Sequence, residues 1–488
     1  MNSELNVVEL GVDFRSLKRG GKVEFPTSAD PAGQALHRSS FFTRGGLPAA
    51  LLAACLSAAH AAGPAPTSWT GGADLRLREV LIQNASSLDD ASPSAERHFQ
   101  RYRVRAWGQY QPDEALAINA RLMWEGRHYN EPDIPSFETW YSGAVMFDNL
   151  YLLADGPGGL PLKVKLGRQD IILGNGWLML DGTPLDGSRT IYFDALRATW
   201  TSGLTSLEAI LIKQDPKTSL TLDGETEDQT EQEETGLALY LRNKYSADTD
   251  LDGFYFYKNN SPVTGEAAGG WRLNNGTSFP SASDDGHVNA VGGRIETRLS
   301  PVWSLRAEAA VEWGRRNGSD MRAFGFNGRA TRTLGGVWDN RLQLGYEFLS
   351  GDDPGTGNRN EAFDPLWGRW PQWSELYGPY TYAMETRTGE TTNLHRLNLG
   401  WIAKVHPTTE LSLDYHALFA DENTRCGSIG FSCNDKFRGH LITAWLRAKF
   451  DKHLSGHLLA EYLLPGDYYV SPKGDDAYFL RAELNLTY

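Results

Sequence analysis

Period-two alternation recurs along this chain, and the gaps between alternating segments are by turns short and long. After residue 65 the pattern appears at 68–84, 98–111, 114–127, 142–154, 160–171, 190–202, 205–214, 234–245, 249–260, 286–298, 302–316, 321–330, 338–351, 393–405, 409–420, 437–450, 453–464 and 475–488, eighteen segments in all. Trp303, Leu305, Ala307, Ala309, Val311 and Trp313 alternate with Ser304, Arg306, Glu308, Ala310 and Glu312. Each such segment reads as a strand with one apolar face. The phase is ambiguous at 249–260, 321–330 and 437–450. Tight turns such as Gly203-Leu204, Ser300-Pro301, Pro407-Thr408 and Asp451-Lys452 alternate with long gaps at 85–97, 128–141, 172–189, 215–233, 261–285, 352–392, 421–436 and 465–474. A soluble sandwich has no reason to keep that parity. A membrane barrel does, with short periplasmic turns and long external loops. The last strand, Tyr478 to Tyr488, runs to the chain end and stops on an aromatic residue. The expected fold is all-β: a transmembrane antiparallel up-and-down β-barrel of about 18 strands. No stretch after residue 65 approaches the roughly 18 apolar residues of a helical span.

The N-terminus carries an export pattern. Arg38 and Arg44 precede an apolar run, 46–59, and Ala59-His60-Ala61 offers a small-x-small cleavage site. Residues 1–61 are expected to be an extension plus signal peptide cleaved after Ala61, and 62–488 the barrel. Leu52-Ala53-Ala54-Cys55 also fits a lipoprotein acylation site. Cleavage after Ala61 removes Cys55 and leaves Cys426 and Cys433, close together in one loop. In an exported chain they read as a disulfide. A metal site would need two further ligands. No cofactor is expected.

The formal charge is −14, but it is unevenly spread. The gap 215–233 is strongly acidic, and solvation is its ordinary role; a cation link to lipopolysaccharide is another. Placing the polar faces in the lumen gives Arg101, Arg103, Arg105, Arg121, Lys163, Lys165, Arg197, Arg242, Lys244, Arg294, Arg298, Arg306, Arg341, Arg396 and Arg481. Against these fifteen stand nine acids: Glu125, Glu208, Glu296, Glu308, Glu312, Glu347, Asp414, Glu461 and Glu483. A net positive wall attracts anions, and the arginine fork suits carboxylates. Charge ladders also brace barrels. The longest gap, 352–392, holds Trp367, Trp370, Trp373, Tyr377, Tyr380 and Tyr382, so it should fold inward or cover the mouth. Such aromatics either stack on sugar rings or pack the loop.

The run Lys165-Leu166-Gly167-Arg168-Gln169-Asp170, then Gly174-Asn175-Gly176, then Arg189-Thr190-Ile191-Tyr192-Phe193-Asp194-Ala195-Leu196-Arg197 resembles the alginate-export outer-membrane porins. The resemblance covers about residue 70 to Tyr488. It implies an eighteen-stranded monomeric barrel in the outer membrane of a Gram-negative-type bacterium. It further implies passage of alginate, a polyuronate, through an arginine-rich, loop-constricted pore. Carried over by motif, Arg168, Arg189 and Arg197 are pore or mouth residues. Strict alternation points Arg168 outward, unless Gly167 makes a bulge that re-aims it.

The leading reading is thus a passive porin for an anionic carbohydrate, with membrane lipid and lipopolysaccharide around it and no nucleic-acid partner. A general anion or oligosaccharide uptake porin and a plugged structural barrel are the alternatives. An enzyme is disfavoured: neither G-x-S-x-G nor H-E-x-x-H occurs.

Overall fold

The computed structural model describes residues 68–488, apart from 94, 133–138, 181–191, 231, 264–283, 369–371 and 387–389. The expected leader therefore lies outside the described residues, as does Arg189. We number the wall strands in chain order. They are β1 (Ser68–Gln83), β2 (Glu96–Gln111), β3 (Leu116–Glu131), β4 (Met146–Asp155), β5 (Leu162–Gln169) and β6 (Phe193–Ser202). Then come β7 (Thr205–Gln214), β8 (Glu233–Ser246), β9 (Thr249–Ser261), β10 (Gly286–Ser300), β11 (Trp303–Arg316) and β12 (Ser319–Gly335). The last six are β13 (Asn340–Leu349), β14 (Leu394–His406), β15 (Thr409–Phe419), β16 (Phe437–Lys449), β17 (Leu454–Pro465) and β18 (Ala477–Thr487).

Each wall strand pairs antiparallel with its neighbours in sequence. The first and last strands close the ring, with Asp74 opposite Thr487 and Gln83 opposite Tyr478. Tyr488 and Ala73 exchange both backbone hydrogen bonds at 2.9 Å, sealing the seam. Closure leaves no free edge among eighteen strands, which a sheet in lipid requires.

The side chains are sorted opposite to those of a soluble protein. On β18, Leu480 and Leu484 are 41% and 46% exposed, while Arg481 and Glu483 are 3% and 8%. On β13, Leu342, Leu344 and Tyr346 face out and Glu347 is buried. Apolar atoms outside and charges inside are stable only if the outside is lipid. Exposed aromatics mark both ends of this band. Trp69, Trp200, Trp303, Trp338 and Tyr488 stand at the turn end, and Trp140, Trp313, Tyr346, Tyr415 and Tyr462 at the loop end. These are the interfacial girdles of a membrane barrel.

In two of the three segments of uncertain phase, β9 and β12, the lumenal face near the loop end is apolar because loops pack there; in the third, β16, a bulge shifts the phase. Phe254 and Phe256 on β9 are buried inside and stack near Tyr240, while Tyr255 and Tyr257 face out. Gly325 on β12 lies under the ring of Phe363. On β16 the pairing with β15 slips between Leu418 and Phe419, and Gly439 adopts φ +129°. That bulge sends Arg438 into the interior and resets the alternation.

Candidate functional site: the constricted lumen

The densest charge lies on β18, β1, β2 and β3. Register places Glu483, Arg78, Arg101 and Arg127 in one row across the four strands. The next row is Asn485, Arg76, Arg103 and Glu125, and the one below holds Asp74 and Arg105. The acids brace the arginines. Arg103 and Arg105 reach Asp74 at 3.2 and 2.6 Å, Arg101 reaches Glu125 at 3.2 Å, and Arg78 and Arg127 pair with Glu483 and Glu125. Six arginines against three acids leave the patch positive. Arg76, Arg78 and Arg127 are absent from the list read off the sequence. The signal was there: Asp74, Arg76 and Arg78 alternate with Leu75 and Leu77.

The other expected wall residues are mostly paired too. Arg121 holds Asp148 at 2.7 Å and Asp170 at 3.0 Å, and Arg197 holds Glu208 at 2.5 Å. Arg294 holds Asp252 at 2.9 Å, and Arg242 lies 3.9 Å from the same carboxylate. Arg341 meets Glu410 at 2.5 Å, Arg396 meets Glu347 at 2.9 Å, and Arg481 meets Glu375 at 3.4 Å. Arg168 is buried, held by Asp194 at 2.7 Å and by the Phe147 carbonyl. Gly167 has φ +124°, yet the pairing of β5 with β4 and β6 runs through without a slip. Arg168 therefore stays opposite Asp194, out of phase with Lys165 and Arg197. The suggested re-aiming bulge does not form.

Two loops meet inside the barrel. The described parts of segments 170–180 and 351–393 join at a parallel bridge between Met179 and Trp367. Trp367 N donates to Leu178 O at 3.0 Å, and Leu180 N donates to Trp367 O at 3.3 Å. A Cβ on Gly368 would stand 1.9 Å from the Trp177 carbonyl, so the two chains can close only over a glycine. Three anchors hold this crossbar to the wall. Trp367 lies over bare Gly236, donates to Glu234 at 3.0 Å, and has the Lys258 ammonium 5.6 Å from its ring. Glu461 accepts from Ser374 Oγ at 2.5 Å and from the amides of Glu375 and Leu376 at 2.9 and 3.0 Å. Arg438 pairs with Glu385, which also accepts from Tyr468 at 2.9 Å and Tyr469 at 3.2 Å. Burial pushes the Tyr377 and Tyr382 phenols up, so they stay protonated under this cluster. Most loop aromatics are thus packing: Trp367, Tyr377 and Tyr382 are fully buried. Trp370 lies outside the described residues.

Beside the crossbar a cavity of about 270 Å³ remains, lined by Trp177, Trp373, Trp445, Arg306, Arg329, Arg396 and Arg447 among others. Arg306 and Arg329 stand directly opposite each other on β11 and β12. Neither has a hydrogen-bond or ion-pair partner among the described residues. Trp373 lies 4.7 Å from the Arg396 guanidinium, and Trp445 lies 4.2 Å from that of Arg447 and 5.3 Å from that of Arg481. The cavity therefore offers arginine forks and aromatic faces together. Cys426 and Cys433 form a disulfide in the loop between β15 and β16.

No curated protein matches this sequence. Among solved structures, Pseudomonas aeruginosa OpdK with vanillate superposes at TM-score 0.52 and 10% identity, over 86% of this chain and 99% of its own. Pseudomonas aeruginosa OccK5 (OpdH) gives 0.51 and 12% over 86% and 97%, and OprD of the same organism gives 0.51 and 11% over 86% and 95%. At such identities the likeness speaks for the fold alone. The model of the alginate export family matches residues 71–476, and the chain belongs to that family: it is an outer-membrane porin.

Proposed function

We propose that the barrel passes an anionic carbohydrate, an alginate-like polyuronate, by passive diffusion past the crossbar. The observation that carries this reading is the Arg306–Arg329 pair. Like charges placed directly opposite on neighbouring strands repel. Most other arginines of this lumen are ion-paired to acids that offset that cost; here Glu308, Glu347 and Asp414 line the same cavity, but none is within ion-pair reach of Arg306 or Arg329. A transient carboxylate supplies the missing charge, and the fork binds it in two-point fashion. The tryptophans beside it suit the apolar faces of sugar rings. The arginine rows on β18 and β1–β3 attract further carboxylates of the same chain.

The test is single-channel recording in planar bilayers. Micromolar to millimolar oligouronate added to wild type should interrupt the current, while neutral oligosaccharide of equal length should do so far less. Arg306→Gln with Arg329→Gln should raise the blocking concentration about tenfold, the equivalent of roughly 1.4 kcal/mol. No conductance at all would identify a plugged structural barrel. Equal block by neutral and acidic sugars would favour a general oligosaccharide pore.

A further inference from the structure

The lumen uses most of the buried charge, but one basic group lies on the opposite side of the wall. On β10, β11 and β12 the outward positions nearest the loop end are His287, Arg315 and Asp320, and Arg322 is the next outward position on β12. Register sets His287 opposite Arg315, and Arg322 opposite Trp313. Both arginines are exposed. Arg315 reaches only the Gly318 carbonyl, at 3.4 Å, and Arg322 has no partner among the described residues. Asp320 faces Arg315 across the hairpin, and Asp285 stands at the start of β10, yet neither is ion-paired with these arginines. Elsewhere around the same rim several outward basic side chains meet acids: His98 meets Glu79, His395 meets Asp421, and Lys213 meets Asp215. Directly below the arginines the surface turns apolar, with Val291, Val311, Trp313 and Phe324 each 40–48% exposed.

We propose that this face of β10–β12 docks the phosphorylated headgroup of an outer-leaflet glycolipid, a lipid A phosphate. An arginine pair without ion-pair partners at the membrane surface attracts anionic headgroups, and each guanidinium can grip a phosphate with two N–H groups. The acyl chains then lie along the valine and phenylalanine side chains below. The placement needs the loop end to face outward, as the family reading and the loop lengths require.

The experiment is native mass spectrometry of the purified barrel in detergent, titrated with bisphosphorylated lipid A. Wild type should retain the lipid. Arg315→Gln with Arg322→Gln should weaken retention roughly 25-fold, about fivefold for each arginine. Arg332→Gln removes an outward guanidinium that stacks on Trp303 at 5.5 Å near the turn end, and should leave binding unchanged. Dephosphorylated lipid A should bind wild type as weakly as the bisphosphorylated lipid binds the double variant. Unchanged retention by the double variant, or undiminished binding of dephosphorylated lipid, overturns the proposal. Heat-modifiable migration of each variant separates loss of the site from loss of the barrel.

Discussion

Arg438 shows how much depends on a single buried charge. The bulge at Gly439 turns its fully buried side chain inward, where Glu385, the Asn393 carbonyl, and the rings of Tyr382 and Tyr468, each 5.0 Å away, surround it. Removing one member of such a pair strands the other in a dry interior, at a cost of about 3–5 kcal/mol. Glu385→Leu should therefore release the crossbar anchor while leaving the wall intact. Limited proteolysis should cut segment 351–393 in the variant, under conditions where wild type resists, and unheated SDS migration should stay that of a folded barrel. Equal resistance would mean the other two anchors suffice. None of this was readable in advance. Arg438 lies in the segment whose phase was ambiguous, and a bulge is invisible to an alternation count. The same limit hid Arg329, in another segment of ambiguous phase.

The elements were more legible than the residues. All eighteen segments of the sequence reading correspond to wall strands, most with ends within a few residues, because lipid outside and water inside impose period two on every strand. The loops obey no such period. That 352–392 would fold inward follows from its aromatics, but its partner could not be read. The bridge from Trp367 to Met179 joins segments far apart in sequence, and it depends on shape: a bare Gly236 under an indole, and a bare Gly368 beside a carbonyl. Gly236→Val should push Trp367 off its seat, since even a Cβ would stand 2.3 Å from the ring. With the crossbar displaced, single-channel conductance should rise at least twofold. Conductance equal to wild type would show that the narrow point lies elsewhere. The disulfide between Cys426 and Cys433 constrains a different loop. Peptide mapping without reductant should find the two cysteines linked, and two freely alkylated thiols would contradict the bond. By the loop-entropy relation a loop this short adds only about 2–3 kcal/mol. Cys426→Ala with Cys433→Ala should therefore leave the barrel folded.

At the scale of the whole molecule, the net charge and the charge of the arginine rows on β18 and β1–β3 have opposite signs. The chain carries −14, yet the acid-rich stretch 215–233 lies in a loop while the arginine rows face the lumen. An ion in the narrow lumen responds to the nearby wall, because fields from the loops decay over a Debye length, roughly 10 Å at 0.1 M salt. The pore should therefore prefer anions although the protein is acidic. In a potassium chloride gradient at low salt the reversal potential should take the sign of chloride permeation. Replacing Arg101, Arg103 and Arg105 together with Gln should move it toward, or past, the cation side. That variant removes three positive charges and leaves Asp74 without its two partners and Glu125 without one of its two. The shift should shrink near 1 M salt, where the screening length falls to about 3 Å. If the triple variant keeps wild-type selectivity at low salt, these arginines only brace the wall. Anion preference would then have to come from the cavity, where Arg306 and Arg329 face each other without an ion-paired acid, and the double Gln variant at those positions would be the one to abolish it.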